Sequence, residues 1–397
     1  MSSSKTVQCD QCPNRFIKVV HNQKYCGPRC KRNAENAAKR AGYTQEEVLE
    51  LVAEPVPDTF RPAKMDTGEE VEFLRKQAVS LKRLVDKHKM IKHHAVEAVY
   101  AAMYEAVEQI RPERVEPPEL EWAQGDEEVA VAVCADWQLG KVTPTYDSEV
   151  CRERIAKYTE YVIDKTKVQR ADHPVNRIHL WFLGDIVEGE DIFSGQSHLI
   201  DSSLYRQVGI NGPEIIRDMI LRYLEEFESV HMAAIIGNHG SIGGRARREY
   251  NSETNMDRLL YKIIEHMFAD EPRVTFNIPD GDGESNFYAV DTIGDYGTLL
   301  IHGDQLPPPS SSHSYYKKVM GWKDGAIPEQ FSDVFMGHYH QNAKMTLGSS
   351  ILRVSGSPES YNTYAQEMLA VMGRPSQHLQ FVHPQNGITS EHTIYLD

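Results

Sequence analysis

Five short apolar runs in this sequence each end in groups that can bind a metal ion. VAVAVCAD (129–136) closes on Asp136, with Gln138 just beyond it, and RIHLWFLGD (177–185) closes on Asp185. HMAAIIGNH (231–239) closes on Asn238 and His239, TLLIHGD (298–304) carries His302, and DVFMGHYH (333–340) carries His338 and His340. Carboxylates, carboxamides and imidazoles are oxygen and nitrogen donors that suit two divalent ions such as Mn²⁺, Fe²⁺ or Zn²⁺. Two such ions about 3.5–4 Å apart can hold a phosphate ester, generate the nucleophile and neutralise an in-line transition state. The chemistry implied is phosphoester hydrolysis. Singly, each residue has an ordinary structural reading: an Asp after a strand caps a helix, Gly-Asn makes a turn, and a lone His satisfies a core or loop. Recurrence decides otherwise, because independent accidents do not end five strands in the order D-x-Q, G-D-x-V-x-G, G-N-H, H-G-D and G-H-x-H.

This order resembles that of the calcineurin-like metallophosphoesterases, D-x-H, G-D-x-x, G-N-H-D/E, H and G-H-x-H. The similarity runs over roughly residues 129–345 and is closest to the DNA-repair nuclease branch and its phage-encoded relatives. The resemblance implies an α/β fold, a sandwich of two mixed β-sheets flanked by helices. It implies that Asp185 bridges two metals, that Asp136 and His340 complete the first site, where Gln138 either adds a weak ligand or does not bind, and that Asn238, His302 and His338 hold the second. It places His239 outside the metal shell, donating to the phosphate or the leaving oxygen. Two positions depart from the pattern. Gln138 stands where the family has histidine, and a carboxamide oxygen is the weaker donor. Gly240 follows Gly-Asn-His where many relatives have an acid, so the group that orients His239 must come from elsewhere, with Asp304 a candidate.

A second constellation lies at the start of the chain. Cys9, Cys12, Cys26 and Cys30 form C-x2-C-x13-C-x3-C, two close pairs at the spacing that wraps a tetrahedral zinc ion. The segment resembles a treble-clef zinc finger, and His21 is a weaker ligand candidate. Residues 1–40 hold nine Lys and Arg against Asp10 and Glu35, while the whole chain carries −15. The head is basic and the body acidic, which argues against coating nucleic acid by bulk charge. Arg245, Arg247 and Arg248 follow the Gly-Asn-His motif on a glycine-rich stretch, and guanidinium forks there suit the flanking phosphates of a polymer. Tyr315, Tyr316, Lys317, Lys318 and Trp322 mix aromatic and basic residues, for which helix packing is the expected use. Cys134 and Cys151 read as buried thiols.

The elements that position these groups follow from periodicity. After Glu128, buried-type strands alternate with helices over 147–168, 201–229 and 252–268, an α/β pattern whose site lies at the strand ends. ILRVSGSP and SEHTIYLD add shorter strands, and DGDGES at 280–285 reads as a turn. The expected organisation is a zinc-finger module with a short helix (1–52), a proline-containing linker (53–68), a long helical stalk (69–110), an acidic linker (111–128) and a catalytic domain (129–397). The stalk has an apolar seam at Val71, Leu74, Ala78, Leu81 and Val85, a candidate for homo-oligomerisation, and a basic cluster at Lys82, Arg83, Lys87, Lys89 and Lys92.

The 397 residues suffice for two or three domains. No apolar run nears the roughly 18 residues of a membrane helix, and six cysteines are too few for a disulfide scaffold. The expectation is an intracellular, cytoplasmic protein with no membrane partner. Its expected function is two-metal-dependent phosphodiester hydrolysis, Mn²⁺ foremost, with DNA as substrate and partner and one structural Zn²⁺ in the finger. The alternatives are a phosphatase or small-nucleotide phosphodiesterase, and a degenerate metal site kept as a binding scaffold.

Overall fold

The computed structural model describes residues 6–8, 15–17, 112–120, 125–193, 195–242, 252–279, 287–306, 312–360 and 373–397. Cys9, Cys12, Cys26, Cys30, the 53–68 linker, the 69–110 stalk, Arg245, Arg247, Arg248 and the 280–285 turn lie outside the described residues. The chain divides into two units, Met1–Met90 and Ile91–Asp397. In the first, β1 (Thr6–Gln8) and β2 (Arg15–Ile17) pair antiparallel, with Thr6 opposite Ile17.

The second unit is built on two mixed sheets. One has six strands in the order β13-β12-β3-β4-β5-β6: β3 (Val129–Cys134), β4 (Arg177–Phe182), β5 (Ser229–Ala234) and β6 (Val274–Asn277) are parallel. β12 (Ser376–His383) runs antiparallel to both β3 and β13 (Gly387–Tyr395). The other sheet has five strands, β10-β11-β9-β8-β7, from β7 (Tyr288–Ile293), β8 (Tyr296–Ile301), β9 (Asp333–Met336), β10 (Ala343–Leu347) and β11 (Ser350–Val354). Here β8, β9 and β11 are parallel, and β7 and β10 close the edges antiparallel.

The alternation of side chains along a strand explains the layers. Ala130, Ala132 and Cys134 face one core, and Val129, Val131 and Val133 face another. A strand buried on both faces reads as the continuous apolar run that VAVAVC is. The first core is covered by α1 (Ser148–Gln169), α2 (Gly212–Leu224) and α3 (Met256–Met267), through residues such as Tyr158, Ile220 and Leu260. The second lies between the sheets, where Trp181 meets Phe335 edge-on. A third joins the outer face of the second sheet to α4 (Ser312–Gly321), and it buries Tyr315 and Trp322 while Tyr316 stays exposed. Packing is thus the use of two of those aromatics. Cys134 and Cys151 are free and buried, as expected.

The helix expected over 201–229 is interrupted. Pro213 has no amide to continue an α-helical ladder, and just before it the Gly212 amide bonds Gln207 O in a π turn over Gln207–Asn211. Among the described residues, no helix is long and apolar enough to cross a membrane.

Candidate metal centre at the strand ends

The ends of β3, β4, β5, β8 and β9 bring the sequence-predicted donors together. The backbone there is unusual: the non-glycine residues with positive φ among those described are Asp136, Gln138, Asp185, His338 and His340. Left-handed backbone is costly for a residue with a Cβ, and it persists where surrounding structure imposes it. Here neighbouring strand ends impose it. The Asp136 amide bonds Gly184 O at 3.1 Å, the Gln138 amide bonds Asp185 O at 2.9 Å, and the Gly337 amide bonds His302 O at 2.9 Å. Gly237 lets β5 approach, since a Cβ there would come within 2.1 Å of Asp185 Oδ1.

His302 is the centre of the second predicted site. Its Nδ1 donates to Leu183 O at 2.8 Å, which aims Nε2 inward. That nitrogen lies 3.1 Å from each of Asp185 Oδ2, Asn238 Oδ1 and His338 Nδ1. Four nitrogen and oxygen atoms thus converge on one small volume, a donor set that fits a cation. In the first predicted site, Asp136 accepts the His338 amide at 2.9 Å and sits 3.5 Å from His340 Nε2. His340 Nδ1 lies 2.8 Å from Glu359 Oε2, an outer carboxylate of the kind that orients metal-binding histidines.

Electrostatics point the same way. Asp136, Asp185, Glu188 and Glu359 are all buried, and Lys141 supplies an ammonium 2.8 Å from Glu359. Burial disfavours a charged His302, yet Asp185 more than offsets this and pushes the ring up to about 10. Burial likewise opposes charge on His340, and Asp136 and Glu359 lift it to about 10. His338 is driven down to about 4 by burial and by His302. Despite burial, His302 and His239 hold Asp185 well below the usual carboxylate range. A pocket of buried carboxylates and imidazoles is one that divalent ions fit. Residues Asp136, Asp185, Asn238, His302, His338 and His340 present the donors for them.

Gln138 lies in the cluster with its amide nitrogen 3.4 Å from Asp185 Oδ2, and its oxygen accepts from Lys141 at 3.3 Å. His239 donates its backbone amide to Asp185 Oδ1 at 2.7 Å, and its ring Nδ1 lies 2.9 Å from Glu188 O and 3.3 Å from Glu188 Oε2. Glu188 therefore takes the orienting place for which the sequence offered Asp304. Asp304 is exposed and contacts its neighbour Gln305. Gly240 has no room for an acidic side chain: a Cβ there would lie 2.4 Å from Asn255 Oδ1 and 2.8 Å from the Asp257 amide.

No family model matches the chain, and no curated protein matches it. Among solved structures, it is similar to Vps29 from Entamoeba histolytica complexed with zinc, at 12% identity over 68% of this chain and 99% of that one, with a TM-score of 0.30. Vacuolar protein sorting 29 from Cryptosporidium parvum is similar at 12% identity, 68% and 100% coverage and a TM-score of 0.32. An archaeal phosphodiesterase is similar at 13% identity, 67% and 99% coverage and a TM-score of 0.32.

Four residues of the centre were not singled out from sequence: Lys141, Glu188, Asp257 and Glu359. Asp257, in the first turn of α3, accepts four backbone amides from the turns after β4 and β5. Burial and the charge of Asp185 push it up to about 6. Glu188 had a signal, since it is an acid three residues after Asp185 within the 184–189 run. The others had none.

Proposed function

We propose that the chain is a divalent-metal-dependent phosphodiesterase whose substrate is DNA. The observation that carries the enzymatic reading is the coincidence of positive φ and convergent donors at the same residues, Asp136, Asp185, His338 and His340. Strained backbone held around a carboxylate and imidazole pocket is a mark of a functional site. When bound there, divalent ions supply positive charge for the phosphoryl oxygens and acidify water for attack at neutral pH. His239 has the complementary part. Burial works against its charge and Asp185 and Glu188 favour it, and in this reading His239 is the group that gives a proton to the leaving oxygen.

DNA as the substrate is supported by composition. The basic head with its four-cysteine spacing, the basic cluster of 82–92 and Arg245, Arg247 and Arg248 accompany an otherwise acidic chain. Local concentrations of positive charge within an acidic chain suit a polyanionic partner. Within this reading, Cys9, Cys12, Cys26 and Cys30 hold a structural zinc ion, Mn²⁺ serves the strand ends, and residues 69–110 mediate self-association.

The test is incubation of the metal-loaded full chain with single-stranded DNA, duplex DNA and bis-p-nitrophenyl phosphate. DNA cleavage is the expected result. Turnover of the small diester alone would remove DNA and keep the phosphodiesterase. One observation favours a second reading, a binding scaffold: the Lys141 ammonium already occupies the Gln138 side of the pocket. Metal binding without cleavage of any diester would establish it.

A further inference from the structure

His179, His231 and Asp291 form a cluster remote from the strand ends. His179 on β4 pairs with His231 on β5 across the parallel ladder. Both share the strand face of Trp181 and Ala233, which points into the layer between the sheets. Asp291 enters that layer from β7 of the opposite sheet. His179 lies three residues before the end of β4 at Phe182, about 10 Å along the strand at ~3.3 Å per residue, and Asp185 lies in the turn beyond that end.

The three side chains offer a compact donor set. His179 Nδ1 lies 2.6 Å from Asp291 Oδ2, and His231 Nε2 lies 3.6 Å from Asp291 Oδ1. One donor atom from each residue falls within 4.8 Å of the other two. A hydrogen bond accounts for the first contact and not for the second, which is too long. Two ligands of a tetrahedral zinc ion, at bond lengths of about 2.0–2.1 Å, stand roughly 3.4 Å apart, close to the His231 separation, while the shorter His179 contact is a hydrogen bond that the ion would replace, with its proton released to solvent.

Outer partners are also in place. His231 Nδ1 is 2.8 Å from Thr275 Oγ1, so donation to that hydroxyl leaves Nε2 with its lone pair toward Asp291. Trp181 Nε1 donates to Asp291 Oδ2 and fixes the carboxylate. Asp291 is 4% exposed, whereas His179 and His231 are 12% and 23% exposed, which leaves a path from solvent.

We propose that His179, His231 and Asp291 bind one zinc-class divalent cation, separate from the strand-end centre, and that this ion ties β4 and β5 to β7. Two imidazoles and a carboxylate with water in the fourth place suit Zn²⁺, while Mg²⁺ prefers oxygen donors throughout. Because the ligands come from two sheets, the ion binds the folded chain and raises its stability by mass action.

The experiment strips the full chain with a chelator, adds Zn²⁺, and reads zinc per chain by native mass spectrometry together with the zinc-dependent rise in Tm. His231→Gln and His179→Gln are compared with the wild type. Each variant is expected to bind one zinc equivalent fewer and to show a smaller rise, with Mn²⁺-supported turnover unchanged. Equal zinc content and equal Tm rise in wild type and either folded variant would overturn the site. Both histidines lie at the partly exposed rim, so two independent variants are at hand, and Asp291→Asn serves as a third.

Discussion

Asp257 Oδ2 accepts the backbone amide of Asp185 at 2.8 Å. The same carboxylate accepts the amides of Ile186 and Val187 through Oδ1 at 3.0 and 3.1 Å, and that of Gly237 through Oδ2 at 3.0 Å. One buried side chain on α3 thus fixes the turns after β4 and β5, and with them Asp185, Asn238 and His239. Asn255 caps α3 and donates to Gly237 O at 2.8 Å, which locks the helix to the same turn.

Asp257→Ala leaves four buried amides without their acceptor, each costing about 1–3 kcal/mol. With relaxation and water entry, a loss on the order of 4 kcal/mol is expected in urea unfolding. Divalent binding should weaken in the same variant, because the Asp185 backbone is no longer held. Unchanged stability would show that water replaces the carboxylate without penalty.

Glu359 and Glu188 contact different histidines, so their amide variants should fail differently. Glu359→Gln loosens His340 and is expected to weaken metal binding by roughly 10–100-fold. Glu188→Gln faces His239, so it should lower kcat while leaving metal affinity near the wild-type value. Calorimetric metal titration beside steady-state kinetics separates the two, and identical profiles would refute the division of roles.

The strand-end donors were legible because each follows its own apolar strand within a few residues, and a strand delivers its last side chain to a known end of the sheet. The α/β alternation was legible for the same reason from runs such as VAVAVC, whereas the pairing of two mixed sheets was implied by the family resemblance alone. Asp257 was not legible: after Asn255 it reads as an acid in the first turn of a helix, and its four amide partners lie up to 72 residues away. Glu359 and Lys141 meet His340 and Gln138 only through tertiary packing. Asp304 was chosen for closeness in sequence to His302, and the chain turns it outward. The arginine cluster and the four cysteines lie outside the described residues.

Turnover should require added divalent metal, with Mn²⁺ supporting more than Mg²⁺, since His302, His338 and His340 offer imidazole nitrogens that magnesium takes poorly. Asp185→Asn is expected to abolish activity, because that carboxylate lies beside His302 and contacts the His239 amide. The measurement is metal-dependent cleavage of a small diester by both proteins. Full activity and full metal content in the variant would show that Asp185 is not shared.

Stability should fall on the acid side in a window that His378 marks. Burial pushes its ring down to about 4, with Nε2 2.7 Å from Asn342 Oδ1. Below the ordinary histidine value of about 6.5, the unfolded chain takes a proton that the folded ring refuses. The contribution is therefore present above that value and is lost as pH falls toward 4. His378→Gln is expected to flatten Tm against pH over this range, and parallel curves would remove His378 as the cause.

Gln138 is the position at which hydrolysis and pure binding part. Its oxygen accepts from Lys141 and its nitrogen lies beside Asp185 Oδ2, so in this arrangement the ammonium supplies charge where the resemblance implies a ligand. Gln138→His brings an imidazole, a better donor, to a backbone already at φ 49°. Such a change should tighten divalent binding and raise turnover at limiting metal if the first site works with a weakly held ion. Lys141→Met tests the other half. If the lysine only neutralises Glu359, its removal should leave that buried carboxylate with His340 but without its ammonium, lower stability and strengthen the site's demand for cations. If instead Lys141 stands in for an ion, Lys141→Met should add a binding event to the titration, and Gln138→His alone should add none. Calorimetry of both variants with Mn²⁺, alongside cleavage assays, distinguishes these outcomes. Metal bound by every protein and no diester cleaved by any of them would leave the strand-end pocket as a binding site alone.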